Sequence, residues 1–413
     1  MIKKLILWFP VLLPAYLLRI KLGPFPTTAL ELAFVALAIV VTWKKGWGIW
    51  QAGFANTRPW HGPAALWIIA TAIAIVIAPN HLAALGLWRA YVLLPMLYAI
   101  LLAGTMREET DRRDVVMALV ASVTFIAGWS ALQFLGFLPI PHPWDTDIWT
   151  RRATGPFPFP NAVSLFCVPI VALCIGILSH PSNLPFVRGG SHWRTILLVG
   201  FFSGTLATIL AKSVGGFLAI LAVSLIALIW NQKTRTATII ASLLLAIIIA
   251  MTPHMRAPIV SSLTFNEWSG KVRLILWRET WAMLKDTSTP LGAGRPIFGA
   301  GFGAYRDVIV PYHRATAIEI FQYPHNLLLN LWSETGLLGL AAFGWICVVW
   351  IRSCLRHERP QGSPLLPTAY RLLPLIAILI HGLVDVPYFK NDLAFLFWIF
   401  AVLTIRFPTP LPV

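Results

Sequence analysis

The sequence predicts an all-α, polytopic integral membrane protein of about twelve transmembrane helices with one large periplasmic loop. Two observations predict it. Hydrophobic residues fill 58% of the 413 positions, charged residues only 12%, and mean hydropathy is +0.75. A soluble domain carries about a quarter charged residues, so most of this surface must face a solvent other than water. Apolar runs of about 20 residues, the length a bilayer core of roughly 30 Å demands, recur from end to end. No stretch has soluble composition, so residues 1–413 read as a single transmembrane domain.

In chain order the runs cover 5–20, 27–43, 62–78, 82–106, 114–137, 162–179, 195–211, 215–230, 237–251, 327–352, 372–388 and 391–405. The first follows Lys3-Lys4 as a secretion signal would. It contains Pro10 and Pro14, however, and reaches Arg19 without a small-x-small cleavage site, so it reads as a retained helix. An even number of crossings puts both termini on one side. Lys3, Lys4, Lys44, Lys45, Arg107, Arg112, Arg113, Lys233, Arg235 and Arg352 then share that side, while the short loop 79–81 has no basic residue. Lys and Arg accumulate in cytoplasmic loops, so both termini are expected in the cytoplasm. The net charge of +16, from 32 basic against 16 acidic residues, has the same origin. No basic-aromatic module accompanies it, and no nucleic-acid partner is expected. Cys167, Cys174, Cys347 and Cys354 form two i, i+7 pairs inside apolar runs and read as small core residues.

Two outer segments stand apart. One is 138–161; the other is 252–326, about 75 residues, a length uncommon in a loop without a function. Within the second, residues 271–285 predict an amphipathic helix at the membrane surface, with Leu274, Trp277, Trp281 and Leu284 on its apolar stripe. Gly292, Gly294, Gly299, Gly301 and Gly303 follow as a tight turn region.

His325, in Tyr323-Pro324-His325-Asn326 just before the tenth run, places an imidazole where lipid meets water. Such a group exchanges protons near neutral pH, and such a position serves equally as an anchor. Arg151, Arg152, Lys212 and Arg273 lie on the same outer side, where cations either touch acidic headgroups or cradle a pyrophosphate. Lys212 sits between two apolar runs, a costly place for a charge. His381 and Asp385 share a helix face at i, i+4 and read as either an interhelical contact or part of the site; Arg89 is a further charge inside a run. Glu334, nine residues past His325, falls about half a turn out of phase and reads as a supporting group. No spacing suggests a metal site, and no cofactor is expected.

These residues resemble the O-antigen ligase and O-antigen polymerase superfamily. Arg273 with Trp277 is similar to its Arg-x-x-x-Trp element, and Pro296-Ile-Phe-Gly299-Ala-Gly301 to its Pro-x-x-Gly-x-Gly turn. His325-Asn326, Glu334-Thr-Gly336 and Gly339-Leu340 resemble its most specific signature. Weaker likeness extends to Arg151-Arg152, Pro160-Asn161 and Lys212–Gly216. One departure is Ser213-Val214-Gly215, where the family often has Ser-Arg-Gly; Lys212 would supply the cation from one position earlier.

The resemblance implies a metal-independent glycosyltransferase at the periplasmic face, with an undecaprenyl-pyrophosphate-linked glycan as donor. His325 would be catalytic, Arg273, Lys212, Arg152 and Arg151 would bind the donor's pyrophosphate, and Asn326, Glu334 and Asp385 would support them. Lipid A core is the expected acceptor, in lipopolysaccharide biosynthesis. Another glycan repeat (a polymerase) and a protein hydroxyl (an O-oligosaccharyltransferase) are the alternatives. A lipid-linked glycan transporter is the rival of another class; it predicts inverted repeats that the sequence does not display.

Overall fold

The computed structural model describes residues 1–22, 25–179, 190–231, 233–251, 261, 264–288, 294–355 and 371–405. Its architecture is all-α apart from one short hairpin. In chain order come α1 (Ile2–Trp8), a 3-10 segment Phe9–Leu17, β1 (Arg19–Leu22), β2 (Phe25–Thr28), α2 (Ala29–Lys45), α3 (Gly48–Asn56) and α4 (His61–Ile77). Then follow α5 (His81–Trp88), a π turn Arg89–Leu93, α6 (Leu94–Thr105), α7 (Glu109–Phe134), α8 (Pro160–Leu178), α9 (Gly190–Leu210), α10 (Val214–Trp230) and α11 (Arg235–Met251). The last are α12 (Trp268–Lys285), α13 (Leu327–Leu355), α14 (Leu373–Gly382) and α15 (Asn391–Leu403), with one-turn helices at Arg295–Phe298 and Tyr305–Val308.

Each apolar run contains a helix, but the runs are not equal. Six helices among the described residues are long and apolar enough to cross a membrane, and a seventh arises if α2 and α3, bent by 111°, act as one span. α10, α14 and α15 are apolar but shorter. Prolines explain part of the inequality, because each removes a backbone donor and orphans the carbonyl four residues before it. An unmet carbonyl is expensive in an apolar interior. Pro10 orphans Ile6, whose carbonyl accepts from Tyr98 Oη at 2.8 Å. Pro14 orphans Pro10, whose carbonyl accepts from Ser122 Oγ at 2.8 Å. Pro95 orphans Tyr91, whose carbonyl accepts from Tyr388 Oη at 3.0 Å. The predicted first helix is thus partly 3-10, held by side chains of α6 and α7.

The hairpin β1–β2 was not foreseen in the run 5–20 or at the start of 27–43. It leads into α2, whose Thr28 and Glu31 form a reciprocal N-terminal cap. Glu31 is 3% exposed, yet its carboxylate accepts from Thr27 Oγ1 (2.5 Å), Arg89 Nη2 (3.0 Å) and Asn391 Nδ2 (3.2 Å). Arg89 therefore serves a buried charge network that joins three segments.

α7, 26 residues or about 39 Å long, fixes the two ends of the bundle. Near its start Asp111 and Asp114 hold Lys3 (2.6 Å) and Lys4 (2.5 Å). At its far end α7 stops where α8, α13 and α15 begin. α8 and α15 are buried on nearly every face, and their sequences are correspondingly apolar all round.

Candidate active site

The site assembles at that far end. Asn326 caps α13: its Oδ1 accepts from Leu329 N at 3.0 Å, while its Nδ2 donates to Leu383 O at 3.0 Å. The start of α13 is thereby pinned to the turn after α14. His325 precedes the cap at φ +51°, a left-handed conformation that costs about 1 kcal/mol or more for a residue with a side chain. Lys212 adopts the same conformation, φ +48°, in the turn between α9 and α10.

His325 Nδ1 donates to Asp385 Oδ1 at 3.2 Å. An ionised carboxylate only accepts, so the proton belongs on Nδ1 and Nε2 keeps a free lone pair. Asp385 Oδ1 also accepts from Val386 N at 2.8 Å, and its Oδ2 accepts from Asn161 Nδ2 at 3.2 Å. Asn161 Oδ1 accepts in turn from Arg152 Nη2 at 2.8 Å, and Arg152 Nε donates to Ala211 O at 2.9 Å. One hydrogen-bonded chain therefore runs from His325 through Asp385 and Asn161 to Arg152. The Asp385 side chain is 2% exposed and that of His325 is 17%, so the carboxylate is shielded while the imidazole can still be reached.

Arg273 reaches in from α12, donating through Nε to Val384 O (2.9 Å) and through Nη1 to Ser269 Oγ (2.7 Å). Its partner Val384 directly precedes Asp385, and its charge is close enough to Arg152 to be felt there. Burial lowers the Arg152 guanidinium from its ordinary value; Arg273 pushes it the same way, and Asp385 opposes both. Two guanidinium groups thus feel each other's charge, an arrangement that an anion between them would relieve.

The other candidates lie further out. Lys212 Nζ donates to Trp149 O and ties the α9–α10 turn to the loop that carries Arg152. Arg151 turns away: it donates to Phe134 O at 3.1 Å and covers that residue's ring, closing the end of α7. The structure does not bring Arg151 into the chain from His325. His381 is buried beside Gly215 of α10; the Asp385 backbone N donates to His381 O at 3.1 Å, while its carboxylate bonds His325.

Glu334 is scaffold. Its Oε2 accepts from Gly303 N, and Ala300 N donates to Ser333 O at 2.6 Å, so the glycine turn is strapped to α13. At Gly336 the helix breaks with φ +68°, and a Cβ there would fall 2.3 Å from Ile297 O. A Cβ on Gly299, also left-handed at φ +77°, would fall 2.6 Å from the carbonyls of Trp332 and Ser333. Backbone meets backbone, which leaves room only for glycine.

α12 forms as expected. Leu276, Thr280, Met283 and Leu284 are buried, while Leu274 and Trp281 of the apolar stripe face outward from the protein. Polar contacts hold its inward face: Glu279 accepts from His313 Nδ1 (3.0 Å) and Arg314 N (2.9 Å), and Thr280 bonds Tyr305 (2.9 Å). Sequence reading singled out neither Asn161 as a link nor Lys390 as a neighbour of the site. Lys390 is 9% exposed, with Nζ 4.0 Å above the Phe159 ring. Its signal was a lone lysine between the last two apolar runs.

Residues 199–344 match the family model described as O-Antigen ligase. Over those residues the chain is similar to the O-antigen ligase family. The matched segment holds Lys212, Arg273, the glycine turn, His325 and Glu334, whereas Arg152, Asn161 and Asp385 lie outside it. No curated protein matches the chain.

Proposed function

We propose that this chain is a member of the O-antigen ligase and polymerase superfamily and transfers a glycan from an undecaprenyl-pyrophosphate carrier to an acceptor hydroxyl, as an O-antigen ligase with lipid A core as acceptor. The observation that carries the reading is the reachable His325 imidazole, held by buried Asp385 and flanked by Arg152 and Arg273. Asp385 keeps the Nδ1 proton in place, so Nε2 accepts the acceptor's hydroxyl proton as that oxygen attacks the anomeric carbon. The bond between that carbon and the diphosphate oxygen breaks, and the diphosphate leaves with the electron pair. Arg152 and Arg273 are placed to offset the charge that develops on it. General-base help of this kind contributes about 10²- to 10⁴-fold.

A donor with a long lipid tail needs its diphosphate at a membrane interface, and the site lies at one end of the apolar bundle. In our reading that end is periplasmic, the chain crosses twelve times, the segment 252–326 is the large outer loop, and both termini are cytoplasmic. Lys212 and the loop it holds would border the diphosphate.

The test is His325→Ala in cells lacking their own transferase, with membrane insertion checked by protease accessibility. Loss of glycan transfer is expected, and normal transfer by the inserted variant would sink the reading. Offering lipid A core or a second carrier-linked glycan as acceptor identifies the product. Chain extension in place of lipid A capping would replace the ligase with a polymerase.

A further inference from the structure

Beside His325, at the start of α15, two buried groups of opposite charge are both unmet. Lys390 Nζ and Asp392 Oδ1 are buried without a hydrogen-bond partner, in side chains of residues 9% and 1% exposed. They influence each other electrostatically but do not join as an ion pair. Lys390 Nζ lies 4.0 Å above the Phe159 ring and 6.0 Å from that of Tyr323. Asp392 is close enough to act on the phenols of Tyr16, Tyr91 and Tyr323. The Tyr323 ring in turn stands edge-on to the His325 imidazole, with centroids 5.1 Å apart.

Leaving an ammonium and a carboxylate oxygen both unbonded in the interior is costly. The ring face under Lys390 offsets part of this, but a ring is no acceptor for three N–H donors. An occupant must therefore offer acceptor and donor together. An anion would be repelled by Asp392 and a cation by Lys390, and an apolar group would leave both unmet. Adjacent hydroxyls on one carbon ring satisfy both, and the C–H face of such a ring packs on an aromatic side chain.

We propose that this cluster is a pyranose-binding subsite. Lys390 donates to one ring hydroxyl and Asp392 Oδ1 accepts from its neighbour, with the sugar against Phe159 and Tyr323. The proposal rests on the transferase reading, because the subsite seats a sugar beside His325. The sugar belongs to the donor glycan or to the acceptor.

The experiment is saturation-transfer NMR on the full-length protein in nanodiscs, with methyl glycosides of glucose, galactose and N-acetylglucosamine as probes. Wild type and His325→Ala should both bind at least one of them. Lys390→Met and Asp392→Asn should each lose about tenfold or more in affinity, the effect of one lost charge-assisted hydrogen bond. No binding by wild type, or unchanged binding by both variants, overturns the proposal. Kinetics on the same variants supply the second measurement. A raised KM for the lipid-linked donor alone assigns the donor sugar, and a raised acceptor KM alone assigns the acceptor sugar. A lowered kcat with both KM values unchanged marks a structural role and overturns the subsite. If His325→Ala transfers normally while the two variants lose sugar binding, the catalytic reading falls and the subsite stands.

Discussion

Asp385→Asn isolates the link on which the proposed chemistry depends. Asp385 accepts three hydrogen bonds, from His325 Nδ1 (3.2 Å), Val386 N (2.8 Å) and Asn161 Nδ2 (3.2 Å). An asparagine has one accepting oxygen. If that oxygen keeps Val386 and His325, its NH2 group confronts the NH2 of Asn161. If Asn161 flips to accept, its own NH2 then confronts Arg152 Nη2, now 2.8 Å from Asn161 Oδ1. One bond of the chain fails in either arrangement, and the imidazolium formed as the acceptor loses its proton has no counter-charge. A hydrogen bond to a charged group contributes about 1.5–3 kcal/mol. Converted to a rate, that is a loss of roughly ten- to a hundred-and-fiftyfold in kcat. The assay is initial-rate glycan transfer in membrane vesicles, with folded protein quantified in the same preparation. Asp385 acts through His325, so adding Asp385→Asn to His325→Ala should cost little more than His325→Ala alone. A single variant within twofold of wild type, or a double variant tenfold below His325→Ala, would refute the reasoning.

Three further outcomes follow from the geometry. Arg152→Lys replaces a planar fork that bonds both Ala211 O and Asn161 with a point donor, and should raise the donor KM by about tenfold while leaving the acceptor KM unchanged. Gly336→Ala forces a methyl to 2.3 Å from Ile297 O at a left-handed residue, and should lower the folded protein's stability by about 2 kcal/mol, read as an earlier thermal aggregation of the solubilised protein. His313 is held above its ordinary value of 6.5, chiefly by its hydrogen bond to Glu279. A group raised on folding stabilises fully below its unfolded value and loses that contribution as pH rises through its folded value. Proteolysis of the 313–318 segment should therefore quicken as pH climbs beyond the ordinary histidine value, in wild type but not in Glu279→Gln.

Residue patterns with a short period were legible; contacts across the chain were not. Apolar runs announced the helices because lipid and a buried core make the same demand on composition, so α8 and α15 stood out as clearly as the lipid-facing segments. The length of each helix was less legible. The run 372–388 is helical only to Gly382, because Leu383, Val384 and Asp385 give their backbone and side chains to Asn326, Arg273 and His325. The inward face of α12 was not legible: hydrophobicity marks the stripe of Leu274, Trp277, Trp281 and Leu284, whereas Glu279 and Thr280 are buried on partners far off in the chain. Periodicity cannot see a partner that lies 34 positions away.

The residues that resemble the superfamily's signature do two different jobs, and the structure separates them. Gly299, Gly301, Gly303, Glu334 and Gly336 interlock the turn with α13 through close backbone approaches and one buried carboxylate. None of them bonds His325; they hold the start of α13 at a fixed height. The groups that do complete His325 come from far apart in the chain: Asp385 60 positions later, and Asn161 224 positions before Asp385. A motif built on scaffold tolerates little change because a methyl group already collides. A chain of single polar contacts can be rebuilt with other residues, provided the imidazole keeps an anion behind it and cations beside it. Ser213-Val214-Gly215 fits that logic. Its serine and glycines still cap α10 and pack against Ser164 and His381, while the positive charge sits on Lys212 and on Arg152.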